Sequence, residues 1–225
     1  MVYRRFGIVL VGAGGLVSLL VGGPSAAVAA PGGGGCQLAG TANITPGLTN
    51  TAANFTYNFS GNLSSCQSNI AGAPTSGTVE AGKTVVVAYN WTYTDSTGVH
   101  SGTANATYQE PIPAGNGSCA SSTTSGTALT TWADGTTTAV DYTTTGALAL
   151  VHLTGTVGTG ITSTLVSYTG PTQAPPASTH TVSTTRFAGD SALGELTFQP
   201  PDATACSGAG VTSAAINGFI GIGSQ

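Results

Sequence analysis

The chain predicts an all-β fold, an antiparallel sandwich or barrel-like domain of about a dozen short strands. Three observations lead there. Downstream of Cys36 the sequence is rich in Thr, Ser, Val, Gly and Asn and poor in Lys, Arg and Glu, a composition that weakens helices and suits strands and tight turns. Apolar residues recur at every second position, with no helical period of useful length. Turn signals built on Gly, Asp and Pro separate these runs at short intervals.

Residues 1–29 stand apart. Arg4 and Arg5 precede an uncharged apolar run from Phe6 to Gly23, and small residues follow, ending in Ala27-Val28-Ala29. This is the layout of a helical secretory signal peptide, with cleavage expected after Ala29. Residues 30–35, Ala-Pro-Gly-Gly-Gly-Gly, read as a flexible leader. Residues 36–225 read as a single all-β domain. A competing boundary lies at Pro111-Ile112-Pro113-Ala114-Gly115.

The first strand opens at Cys36 and puts Leu38, Ala42 and Ile44 on one face. The next closes at Cys66. Phe55, Tyr57, Phe59 and Leu63 share its apolar face, and Thr56, Asn58, Ser60, Asn62 and Ser64 its polar one. Lys83–Thr94 and Val99–Tyr108 form a hairpin about Asp95-Ser96-Thr97-Gly98. Asp134-Gly135 is the pair a type I′ turn requires, and folding about it sets Leu129 opposite Val140 and Trp132 opposite Thr137. Ala147–Val157 is apolar on both faces and reads as a buried strand, turning at Gly158-Thr159-Gly160 into Ile161–Tyr168. After an irregular segment, 171–178, strands are expected near Thr181–Phe187, Leu193–Gln199 and Val211–Ile222.

Cys36, Cys66, Cys119 and Cys206 all follow the leader, and an even count in an exported chain reads as two disulfides. A bridge across the first hairpin, Cys36–Cys66, is natural and leaves Cys119–Cys206. One conflict accompanies it: Cys36 has the apolar parity of its strand and Cys66 the polar parity of its own. A bulge, for instance at Gly61, or a Cys beyond the regular ladder would reconcile them.

Charged residues make up 5% of the chain, against about 25% in an ordinary domain. Removal of the signal peptide takes Arg4 and Arg5 with it, so Lys83 and Arg186 face eight acids and the formal charge is −6. No basic patch remains to neutralise phosphates, which excludes nucleic-acid binding. Hydrophobic residues at 40% are enough for a core. Solubility falls chiefly to hydroxyl and amide groups. No later apolar run is long enough to span a membrane.

Chemistry-bearing motifs are sparse. Gly189-Asp190-Ser191-Ala192-Leu193-Gly194 resembles part of the Gly-Asp-Ser-Gly-Gly nucleophile loop of chymotrypsin-like proteases. Ala192 and Leu193 replace the glycines that the oxyanion hole needs, and the segment reads as a hairpin turn. His100, His152, Asp141, Glu110 and Ser191 would indicate a hydrolase only if two or more met in one pocket. No Cys-x-x-Cys or His-x-x-x-His spacing supports a metal, and no cofactor is expected. Tyr89, Trp91 and Tyr93 share a strand face with Val85 and Val87; buried they are core, and exposed in a row they would stack on sugar rings. Seven Asn-x-Ser/Thr triplets, at Asn43, Asn54, Asn58, Asn62, Asn90, Asn105 and Asn116, read as a polar strand face.

Cys36-Gln37-Leu38-Ala39-Gly40-Thr41-Ala42, Phe55-Thr56-Tyr57-Asn58-Phe59-Ser60-Gly61, Cys66, Trp132-Ala133-Asp134-Gly135 and Phe187-Ala188-Gly189-Asp190 together resemble a set of secreted proteins of high-GC Gram-positive bacteria. The resemblance rests on structural residues and implies no catalytic ones. The expectation is a secreted, non-catalytic β protein with a binding or structural role outside the cell or at its envelope. A neutral glycan or an envelope protein is the expected partner. An extracellular hydrolase and a secreted protease inhibitor are the alternatives.

Overall fold

The computed structural model describes residues 33–223 apart from residue 148. The expected signal peptide, 1–29, lies outside them. Thirteen strands are present among the described residues, and most of them form one closed barrel. Strand β1 (Gly34–Leu48) is held on one side by β2 (Ala53–Ser68) and on the other by β13 (Val211–Ile222). From β13 the wall continues through β12 (Ser191–Gln199), β9 (Leu150–Val157), β8 (Thr137–Ala147) and β7 (Ser121–Trp132). Two short strands laid end to end fill the last position. β3 (Gly77–Ala81) bridges β2 to β7 at Phe59–Leu63 and Leu129–Trp132, and β6 (Ala114–Gly117) bridges them at Ala53–Thr56 and Ser122–Ser125. All eight wall positions are antiparallel to their neighbours, and closure leaves the wall without free edges.

The second unit is a curled four-stranded sheet. It combines a hairpin inserted between β3 and β6, β4 (Thr84–Asp95) with β5 (Gly98–Gln109), and one inserted between β9 and β12, β10 (Gly160–Tyr168) with β11 (Thr179–Ser183). The order is β11-β10-β5-β4. Thr184 and Thr185 tie it to the barrel by hydrogen bonds to Ala139 and Thr137.

Both expected disulfides form. The β1–β2 ladder slips by one residue between Gly35↔Gln67 and Gln37↔Ser64, where Ser65 adopts φ 51°. This bulge turns Cys66 to the inner face, where it bonds Cys36. The parity conflict is thus resolved at Ser65, and Gly61 stays in register opposite Gly40. Cys119–Cys206 joins the β6–β7 connection to a short 3-10 helix, Ala203–Ser207. Two disulfides point to an oxidising location outside the cytoplasm. No helix among the described residues is long and apolar enough to cross a membrane.

Several expectations are corrected. Gly34 and Gly35 belong to β1 rather than to a flexible leader. The Asp134-Gly135 turn has a three-residue loop, Ala133-Asp134-Gly135. The Trp132 N–H reaches the Thr136 carbonyl, and only Gly135 has positive φ, 81°. The Asp134 carboxylate accepts from the Thr136 N–H and hydroxyl, which suits a type I turn followed by a left-handed glycine. The register is therefore Leu129↔Ala139 and Thr131↔Thr137, one residue from the expected pairing. β9 starts at Leu150 and buries one face only, with Leu150 56% exposed, because a barrel wall has a wet outer side. Phe187 to Ser191 is not a hairpin turn: β11 and β12 lie in different sheets, and the segment carries the chain between them.

Candidate functional site in the barrel interior

Inward-facing residues alternate along every wall strand and gather into two clusters. Cys36, Leu38, Leu63, Trp132, Val157 and Leu196 mark one end of the barrel, with Phe187 set edge-on to Trp132 at 5.8 Å. Ala42, Ile44, Leu48, Phe55, Val211 and Ala214 mark the other, where the Cys119–Cys206 bridge and Ala205 pack against them. Between the clusters lies a cavity of about 170 Å³. Phe59, Val140, Val151, Leu153, Ile216 and Ile220 face it. They are only half-buried although they point inward, because their remaining accessible surface belongs to this space. Eight strands give an interior that side chains just fill or that holds one small ligand; here the side chains stop short of filling it.

One stretch of this wall is polar. Tyr57 Oη lies 2.6 Å from Tyr142 Oη and 3.1 Å from Thr124 Oγ1, and Thr124 Oγ1 lies 2.7 Å from Thr144 Oγ1. The four hydroxyls form a chain across β2, β7 and β8, and all four residues line the cavity. Burial pushes the Tyr142 hydroxyl far above the ordinary phenol range, and its neighbour Tyr57 adds to the effect. Burial raises Tyr57 as well, against the opposing bonds from Thr124 and Tyr142. Both stay protonated at any physiological pH and offer hydrogen bonds rather than charge. Sequence parity places Tyr57 inside with Phe55 and Phe59. It says nothing of Thr124, Tyr142 and Thr144, whose strands run Thr-Thr and Thr-Thr-Thr without alternation.

The residues singled out for hydrolytic chemistry do not meet in the barrel interior. None of Glu110, Asp141, His100, His152 and Ser191 lines the cavity. Asp141 faces outward, accepting a 2.6 Å bond from Thr127, on the side of β8 opposite the Trp132 partner Thr138. His152 is exposed beside Glu195. Glu110 is buried where the β4–β5 hairpin leaves the barrel. Its Oε2 accepts the Lys83 N–H at 3.0 Å, and burial raises its pKa despite that bond. Asp95 is a turn residue, with its carboxylate held by Thr97 and His100. No cluster of three or more His, Cys, Asp or Glu suited to a metal occurs among the described residues.

Tyr89, Trp91 and Tyr93 are neither core nor an open row. All three are half-buried on one face of the curled sheet. Trp91 stacks on Tyr93 at 5.7 Å, and Tyr93 on His100 at 4.9 Å. Gly102, directly across from Trp91, lets the indole lie close over β5; a Cβ there would come within 2.6 Å of the ring. Tyr89 is covered at Gly170. Four of the seven asparagines pair by their side chains on the barrel wall, Asn43 with Asn58 and Asn54 with Asn116, whereas Asn90 and Asn105 lie on the curled sheet.

The fold and site define a closed antiparallel barrel with an apolar chamber and an internal hydroxyl chain. Comparison with protein-family models, curated proteins and solved structures gives no match.

Proposed function

We propose that the chain is a secreted, non-catalytic binding protein that works outside the cell or at its envelope, and that its barrel interior receives a small apolar molecule. The observation that carries this reading is the cavity itself: about 170 Å³, walled by side chains from all around the barrel and almost wholly apolar. Apolar cavities near that size take up benzene or xenon rather than water. The two disulfides and the layout of residues 1–29 support export.

Benzene is the first probe. Thermal unfolding of the oxidised protein should shift upward with benzene; at one hundred times Kd the stabilisation is ~2.7 kcal/mol. Leu153→Phe, which fills the chamber, should abolish the shift. An unmoved wild-type midpoint at millimolar benzene overturns the reading.

The Trp91–Tyr93–His100 stack favours a second reading, binding of a neutral glycan on the curled sheet. A glycan array with the wild type and Trp91→Ala tests it. Signals that survive the substitution, or no signals at all, remove it.

A further inference from the structure

We propose, resting on the cavity reading above, that the barrel selects a compact apolar molecule carrying one oxygen, a phenol, alcohol or ketone of roughly benzene size, and that the hydroxyl chain ending at Tyr142 recognises that oxygen. The argument is a count of valences. Each hydroxyl has one proton and two lone pairs. Four hydroxyls joined by three contacts commit three protons to one another. One proton is left over. It sits on Tyr142 if the chain points from Thr144 to Tyr142, and on Thr144 if the chain points the other way. Both ends line the cavity.

Because the chain can reverse, it offers a donor to a ketone and an acceptor to a phenol or alcohol. A hydrocarbon of the same size leaves the spare proton unpaired in apolar surroundings, which is unfavourable. No ionised group lines the cavity, so a carboxylate or an amine has no counter-charge there. The chamber thus combines an apolar volume with the hydroxyl chain on one side, its other polar lining residues being Ser122 and Thr130 of β7 and Gln67 and Ser68 at one end, a combination that favours an oxygen at one edge of an otherwise apolar ligand.

Phenol and toluene have the same size and differ in the polar atom, so they are the test pair. Calorimetry on the oxidised full-length mature protein should give saturable binding of both. Tyr142→Phe should weaken phenol roughly tenfold and leave toluene unchanged or tighter. Tyr57→Phe, which cuts the chain behind Tyr142, should weaken phenol in the same sense. An unchanged phenol-to-toluene ratio in both variants overturns this proposal and leaves the cavity reading standing; failure of both probes to bind the wild type overturns the two together. A measurement on the wild type alone covers the case of a variant that does not fold. The carbonyl stretch of bound cyclohexanone should lie below its value in hexane, and a stretch at the hexane value counts against recognition of the oxygen.

Discussion

Thr138 is fully buried and joins three parts of the molecule through one hydroxyl. It accepts the Trp132 indole N–H at 2.9 Å and donates to the Arg186 carbonyl at 3.0 Å, so it fixes the core tryptophan to the segment leading into β12. Thr138→Val keeps the shape and strands the indole N–H. A loss of ~2 kcal/mol in urea unfolding is expected. Glu110 has the opposite character, a buried carboxyl whose pKa is raised by burial, with Lys83 partly offsetting it. Its folded pKa exceeds its unfolded one, so its contribution is fully present below the unfolded value and is lost as pH rises through the folded value. Glu110→Gln keeps an acceptor for the Lys83 N–H and removes the charge. It should raise the unfolding midpoint at pH 7 and leave it unchanged near pH 3, where the glutamic acid is already neutral, at ~1 unit below its ordinary value. Asp95, Asp134 and Asp202 work with the other sign. Each accepts from the hydroxyl and N–H of the threonine two residues on, which lowers its pKa. What they contribute is present above the ordinary carboxylate range and fades as pH falls through their lowered values.

At the scale of elements, the period-2 pattern reveals most strands but not how they meet. Parity in β1 and β2 is explicit because Leu38, Ala42 and Ile44 and then Phe55, Tyr57, Phe59 and Leu63 alternate with polar residues. The β7–β8 hairpin has an evident turn and an ambiguous face, since its threonine runs carry no alternation. Three of the four members of the hydroxyl chain, Thr124, Tyr142 and Thr144, are therefore hidden. β3 and β6 escape notice because five and four residues are too few to show a period. The Ser65 bulge is visible only as a contradiction between two cysteines. Deleting Ser65 should restore a regular ladder and set Cys66 in the inward slot directly across from Cys36, so the bridge should survive and alkylation and mass should count no reactive thiols; two reactive thiols per chain would overturn this reading of the bulge. Gly135→Ala meets no neighbour but must hold φ 81°, so a loss of ~1 kcal/mol is expected from backbone strain alone.

Closure of the whole barrel depends on β1 pairing with both β2 and β13, contacts that join the first and last strands of the domain. Strand count allows this as readily as a sandwich, and nothing local decides between them. The Cys119–Cys206 bridge, separated by 87 residues in sequence, secures the end of the barrel near those strand termini. Replacing both cysteines with serine should cost ~2–4 kcal/mol in denaturant unfolding. It should also loosen the helix Ala203–Ser207 first, seen as early protease cleavage there. The joint between β3 and β6 has a kinetic consequence. Everywhere else each pair of neighbours shares a single ladder, with register shifts only where β1 meets β2 and β13. Here it is two short ladders, and the gap is occupied by Pro113, a fully buried ring whose carbonyl takes the Tyr57 N–H at 3.1 Å. Short ladders open locally at lower cost than long ones. Amide deuteration should therefore run faster at β6 than along β8 or β13.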